Sequence, residues 1–160
     1  MMVKEEYVSW SNSYSMGIKV IDDQHKGLLE IVNDLYNHSS DNPDEEGEYF
    51  KSVIGQAVEY VKTHFAEEEK FMKAIKFPDY DNHKKEHNAF VLNVVKSIKD
   101  FENGKRMVLV SFASFLKEWI LAHIAIEDIK YAVYFKQLAT RKEDGTLSIT
   151  AEDIERIMKA

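Results

Sequence analysis

Residues 64–87 read HFAEEEKFMKAIKFPDYDNHKKEH, and the reading of this stretch decides the fold. It carries two side-chain pairs spaced by four, His64 with Glu68 and His83 with His87, separated by the helix-breaking dipeptide Phe77-Pro78. Residues four apart on an α-helix are neighbours on one face, with Cβ atoms about 5–6 Å apart, so each pair aims two ligand atoms at one point. Pro78 lets the two helices turn back antiparallel. The end of the first helix then lies beside the start of the second. Four ligand-type side chains meet in one small volume, which is how helix bundles build metal sites.

Working outward, residues 1–17 show no helical period and hold Tyr7, Trp10 and Tyr14, which reads as an extended arm packing its aromatics on the body. A first helix is expected to open near Asp22 or Asp23. Its apolar positions Leu28, Leu29, Ile31, Val32, Leu35 and Tyr36 recur at helical spacing. It stops before HSSDNPDEEGE, read as a loop, with His38 as a solvated or capping histidine at the exit. The same periodicity predicts helices over about 49–75, 79–102 and 107–135, with Gly104 placed to end the third. Nothing alternates with a period of two. The expected fold is all-α, an up-down-up-down antiparallel four-helix bundle over residues 1–139 including the arm. Residues 140–160 are expected to form an extension, a polar linker and then a short helix with Ile154, Ile157 and Met158 on one face. That helix is either a strap on the bundle, the preferred reading, or a contact for a second copy or a partner protein.

Composition narrows the function. A chain of 160 residues, 31% charged and 44% apolar, is one soluble globular domain. A net charge of −7 argues against nucleic-acid or anionic-membrane partners. The absence of cysteine excludes disulfides, thiolate zinc sites and iron–sulfur clusters. The N-terminus has no apolar leader core, and no run is read as approaching the ~18 residues of a membrane span. The expected location is the cytoplasm.

The histidines have a common register. His25 lies near the start of the first helix, His64 and Glu68 near the end of the second, His83 and His87 near the start of the third, and His123 and Asp128 late in the fourth. In an antiparallel bundle all seven collect at one end. Only His38, of the six histidines, stands apart. Five imidazoles and two carboxylates are too many for one ion and suit a pair of first-row ions bridged by the carboxylates. Imidazole suits iron, zinc and copper alike, with iron preferred. No histidine has a glutamate three residues before it, as the carboxylate-rich di-iron bundles require. A histidine-rich set offers fewer anionic ligands for high-valent iron and favours reversible chemistry. His123 and Asp128 are five apart, about 140° around an ideal helix. A local π-bulge there would let them converge.

The segments IDDQHKGLLEIVNDLY, HFAEEEKFM, FPDYDNHKKEH and WILAHIAIEDIKY resemble the signature segments of the hemerythrins, specifically the bacterial single-domain ones, over roughly residues 8–136. The resemblance implies an oxo- or hydroxo-bridged non-haem di-iron centre that binds O2 reversibly, for storage, transport or delivery. It implies that His83, His87 and His123 hold one iron, that His25 and His64 hold the other with a position left for O2, and that Glu68 and Asp128 bridge both. Tyr131 matches a family tyrosine that supports the carboxylates, and Leu28, Phe65, Trp119, Ile120 and Ile124 match the family's oxygen pocket. The same stripe is also plain core packing. No catalytic residue is expected. Two other functions stand beside the carrier: an O2 or redox sensor acting through a partner, and a di-iron enzyme processing peroxide or nitric oxide.

Overall fold

In the computed structural model, residues 6–140 and 156 are described; the rest of the 140–160 extension lies outside them. Helix α1 runs Lys19–Asn37, α2 Pro43–Ala74, α3 Tyr80–Glu102 and α4 Leu109–Ala122. From α4 the rod continues as a π-helical turn, His123–Asp128, into α5, Ile129–Thr140. Four helical rods, up-down-up-down, enclose a core that includes Ile21, Val32, Phe50, Phe71, Phe90 and Leu109.

The helix boundaries show which local signals outweighed apolar periodicity. α1 starts ahead of the expected Asp22, whose carboxylate instead accepts from Ser15 Oγ (2.5 Å) and Met16 N (2.7 Å). Those bonds pin the end of the N-terminal arm to the first turn of α1. The segment read as a loop already holds the start of α2. Asn42 caps it by accepting from Asp44 N and Glu45 N, Pro43 stands at the first turn, and Asp44, Glu45 and Glu46 face the positive end of the helix dipole. His38 is the C-cap of α1, with Nδ1 2.7 Å from Asp34 O and its ring stacked on Tyr49.

The turn at Phe77-Pro78 closes as a Schellman motif. Phe77 N donates to Met72 O and Lys76 N to Lys73 O, with Lys76 at φ +56°. α3 ends in the same way, with Gly104 at φ +94°. The arm packs as expected. Tyr7 stacks on Tyr36 at 4.2 Å, and Val8 exchanges backbone bonds with the Asn33 amide.

One expectation needs correction. The continuous rod Leu109–Leu138 is long and apolar enough, by length and composition, to cross a membrane. Part of that apolarity serves the fold: Leu109, Phe112, Leu116, Ile120, Ile124 and Tyr131 fill the bundle core, and the same rod carries the buried His123 and Asp128, while Val110, Phe115, Ile126 and Val133 are exposed.

Candidate metal centre

All seven predicted ligands come together at one end of the bundle, each 5% exposed or less. α1 delivers His25, α2 His64 and Glu68, α3 His83 and His87, and the π-helical turn His123 and Asp128. That turn bears out the expectation for the five-residue spacing: a wider turn rotates the two side chains onto one face.

The distances sort the histidines into two groups. His25 Nε2 and His64 Nε2 lie 3.1 and 3.3 Å from Glu68 Oε1. His87 Nε2 lies 3.2 Å from the other oxygen, Oε2. Asp128 Oδ1 lies 2.9 and 3.1 Å from the Nε2 atoms of His83 and His123, and Oδ2 lies 3.1 Å from that of His25. Glu68, His83, His87, His123 and Asp128 each offer a donor atom within 4.8 Å of the others, as do His25, His64 and Glu68.

The donor set fits a pair of cations. Glu68 Oε2 and both Asp128 oxygens are buried without a hydrogen-bond partner, although imidazole nitrogens lie at contact distance. Oxygens and nitrogens are aimed past one another. His123 Nε2 also lies 3.0 Å from His87 Nε2 and 3.1 Å from His83 Nε2. A neutral imidazole whose other nitrogen donates outward presents a lone pair here, and lone pairs at such distances repel unless they share a cation.

The outward partners set those tautomers. Gln24 Nε2 donates to Glu67, which can only accept, so Gln24 Oε1 faces His64 Nδ1 at 2.6 Å. His64 therefore donates through Nδ1 and leaves Nε2 free for a metal. Glu69 stands behind His87 (3.2 Å) and Glu86 behind His123 (3.3 Å). Sequence reasoning missed Gln24, Glu69 and Glu86. Each adjoins a ligand in sequence (Gln24 before His25, Glu69 after Glu68, Glu86 before His87), and that adjacency is the one signal available. Gly27 is a further omission. A Cβ there would lie 2.0 Å from Tyr60 Oη, the hydroxyl that donates to Gln24 O at 2.9 Å, so α1 and α2 meet this closely only at a glycine.

Electrostatics follow from two buried carboxylates among five imidazoles. Burial opposes charge on His25, but the Asp128 and Glu68 carboxylates, each 3.1 Å from its Nε2, outweigh it and push its pKa up to about 9. His123 is raised for the same reason, chiefly by Asp128 against burial. Burial would raise Glu68, yet His64, His25 and His87 hold it well below the usual carboxylate range. Asp128 is likewise lowered by His123, His25 and His83, against burial and the charge of Glu68. Tyr131 Oη donates to Glu68 Oε1 at 2.9 Å, and burial with the two carboxylates holds the phenol well above its usual range.

The five residues expected to form a pocket do line one cavity, of about 10 Å³, together with Val61, Phe90, His25, His64, His123 and Asp128. That is about the free volume one water-sized molecule needs. Both histidines of the two-histidine group line it, against His123 alone of the other three, so the cavity lies mainly on the two-histidine side. Aromatic stacking fixes the rings around it: Phe65 on His87 at 3.8 Å, and Phe90 on Trp119 on His123 at 3.9 and 4.4 Å.

Comparison with known proteins agrees with this geometry. Residues 16–135 match the family described as the hemerythrin HHE cation binding domain. A bacteriohemerythrin of Stenotrophomonas maltophilia is 30% identical over 141 residues, covering 85% of this chain and 89% of the relative. A myohemerythrin of Theromyzon tessulatum is 32% identical over 131 residues, covering 81% and 93%. A crystal structure of wild-type hemerythrin superposes with a TM-score of 0.69 at 27% identity, covering 79% of this chain and 95% of that one.

Proposed function

This chain belongs to the hemerythrin family, and on that premise we propose that it binds O2 reversibly at a di-iron centre held by His25, His64, Glu68, His83, His87, His123 and Asp128. The observation that carries the reading is the unequal division of histidines, two against three, with the small apolar cavity on the two-histidine side. The iron pair, when bound, supplies the electrons that O2 takes up and returns.

The protein's part is to hold, orient and seal. Glu68 and Asp128 span the two histidine groups and would hold both ions when the pair is bound. Gln24, Glu69 and Glu86 keep the protons of His64, His87 and His123 on the outward nitrogen. Tyr131 keeps its own proton and holds Glu68 Oε1 through it. Leu28, Phe65, Trp119, Ile120 and Ile124 keep water from the site, which limits loss of reduced oxygen species. This is a binding protein rather than an enzyme. It works free in the cytoplasm, with O2 as its ligand and neither nucleic acid nor membrane as a partner. The Tyr131–Glu68 hydrogen bond and the cavity lining support these roles.

The test is direct. Metal analysis is expected to give two irons per chain, and anaerobically reduced protein should develop charge-transfer absorption on meeting air and lose it under vacuum. One zinc per chain with a featureless spectrum would overturn the reading.

A further inference from the structure

A second cavity, of about 40 Å³, lies beside the site pocket on the side away from the metal centre. Its walls are almost wholly apolar, including Leu35 of α1, Ile54 and Val58 of α2, Val94 of α3, and Phe112 and Leu116 of α4. The two cavities share four wall residues, Leu28, Val61, Phe90 and Ile120, one from each of α1, α2, α3 and α4. These form a single-residue-thick ring across the bundle. Leu28, Phe90 and Ile120 are 4% exposed or less, whereas Val61 is half-buried and is the least confined of the four.

Between α2 and α3 the outer wall is one residue deep and partly open to solvent. Ala57, Val58, Val91 and Val95 are half-buried there, with the exposed Lys62 at the edge. Apolar walls offer water no hydrogen bonds, and cavities of this kind stay dry while accepting apolar gases. A neighbouring surface groove bordered by Glu69 and Asn88 also approaches the ligands. The stacked pair Phe65–His87, 5% and 1% exposed, closes it.

We propose that the apolar cavity is a second binding site for dioxygen, a chamber entered between α2 and α3 from which O2 passes the Leu28–Val61–Phe90–Ile120 ring to the site. The route rests on the O2-binding reading; occupancy of the chamber by an apolar gas does not. Ala57 lines the chamber and not the site pocket, so a larger side chain there obstructs the path without touching the metal centre.

The experiment has two arms. Crystals of the metal-loaded protein under krypton should show the gas in the chamber of the parent and none in Ala57→Phe. In stopped flow, O2 association and dissociation should slow together in Ala57→Phe, roughly tenfold, a rise of about 1.4 kcal/mol in a barrier common to both directions. The equilibrium affinity should be unchanged. Ala57→Leu should show the same pattern more weakly, and carries the test if the phenylalanine variant does not fold. Rates equal to the parent's, or a chamber empty of krypton, overturn the proposal. So does a change in affinity, because the substitution would then be acting on the site. A parent that takes krypton into the chamber but binds no O2 sinks the functional reading and the route with it, and leaves an apolar-gas cavity.

Discussion

Glu68 and Asp128 share one arrangement: each turns one carboxylate oxygen toward the group of His25 and the other toward the group of His83, His87 and His123. They come from different elements, the end of α2 and the π-helical turn, yet divide their oxygens between the same two sets. Glu68 belongs to both groups, and Asp128 reaches the two-histidine group through His25. The bridge is therefore a property of the bundle end, not of either helix alone.

That arrangement predicts different losses from different ligands. His64→Ala removes a donor from one group only, so the variant should keep about half the parent's metal, because the three-histidine group still has both carboxylates. Glu68→Ala removes an oxygen from both groups and should leave little bound metal. Metal analysis after gel filtration checks this. Equal and complete loss in both variants would count against two separable groups.

Gln24 offers a finer prediction. Its side chain acts through the Nδ1 proton of His64. Gln24→Ala should weaken metal retention by about 10–100-fold, the usual cost of losing a partner behind a histidine ligand. Competition with a coloured chelator measures it. Gln24→Glu, which keeps an acceptor at that position, should restore most of the affinity, and a failure to do so would point to packing rather than orientation.

Stability should depend on pH in opposite ways with and without metal. In metal-stripped protein the His25 pKa is raised from 6.5 to about 9 by Asp128 and Glu68 acting against burial. Its contribution to folding is then fully present below pH 6.5 and is lost as pH rises through about 9. In loaded protein a metal ion replaces that proton, and rising pH removes a competitor for His25. Melting temperatures measured from pH 6.5 to 9 should fall for stripped protein, and the gap to the loaded protein should widen. A constant or narrowing gap would show that His25 is not proton-linked to the site.

Ile120 lies in both the site cavity and the ring above it, and is 4% exposed. Ile120→Ala should cost about 2–5 kcal/mol of stability through the cavity it leaves. The space opened next to the two-histidine side should admit water or small anions, so oxygenated protein should autoxidise faster at unchanged iron content. Spectral decay in air, set beside iron analysis, tests it. An autoxidation rate equal to the parent's would make Ile120 ordinary core.

What the sequence determined by itself was the set of side chains and the level at which they gather. Spacing of four is a local property of any α-helix, and Phe77-Pro78 stops the helix between the two pairs, so His64 with Glu68 and His83 with His87 lie on either side of one turn. The five-residue step from His123 to Asp128 likewise demanded a wider turn, and the structure has one. Periodicity found every long helix yet missed the start of α2, because the signal there is a cap and a helix dipole, not an apolar stripe. Tertiary structure alone decided which carboxylate oxygen faces which histidine, which nitrogen of His64 is free, and how four helices leave an apolar space beside the site. Those depend on rotamers and on the register of one helix against another. The approach of α1 to α2 at Gly27 sets the first of these registers: a side chain there would strike Tyr60, and nothing in the local sequence announces that distance.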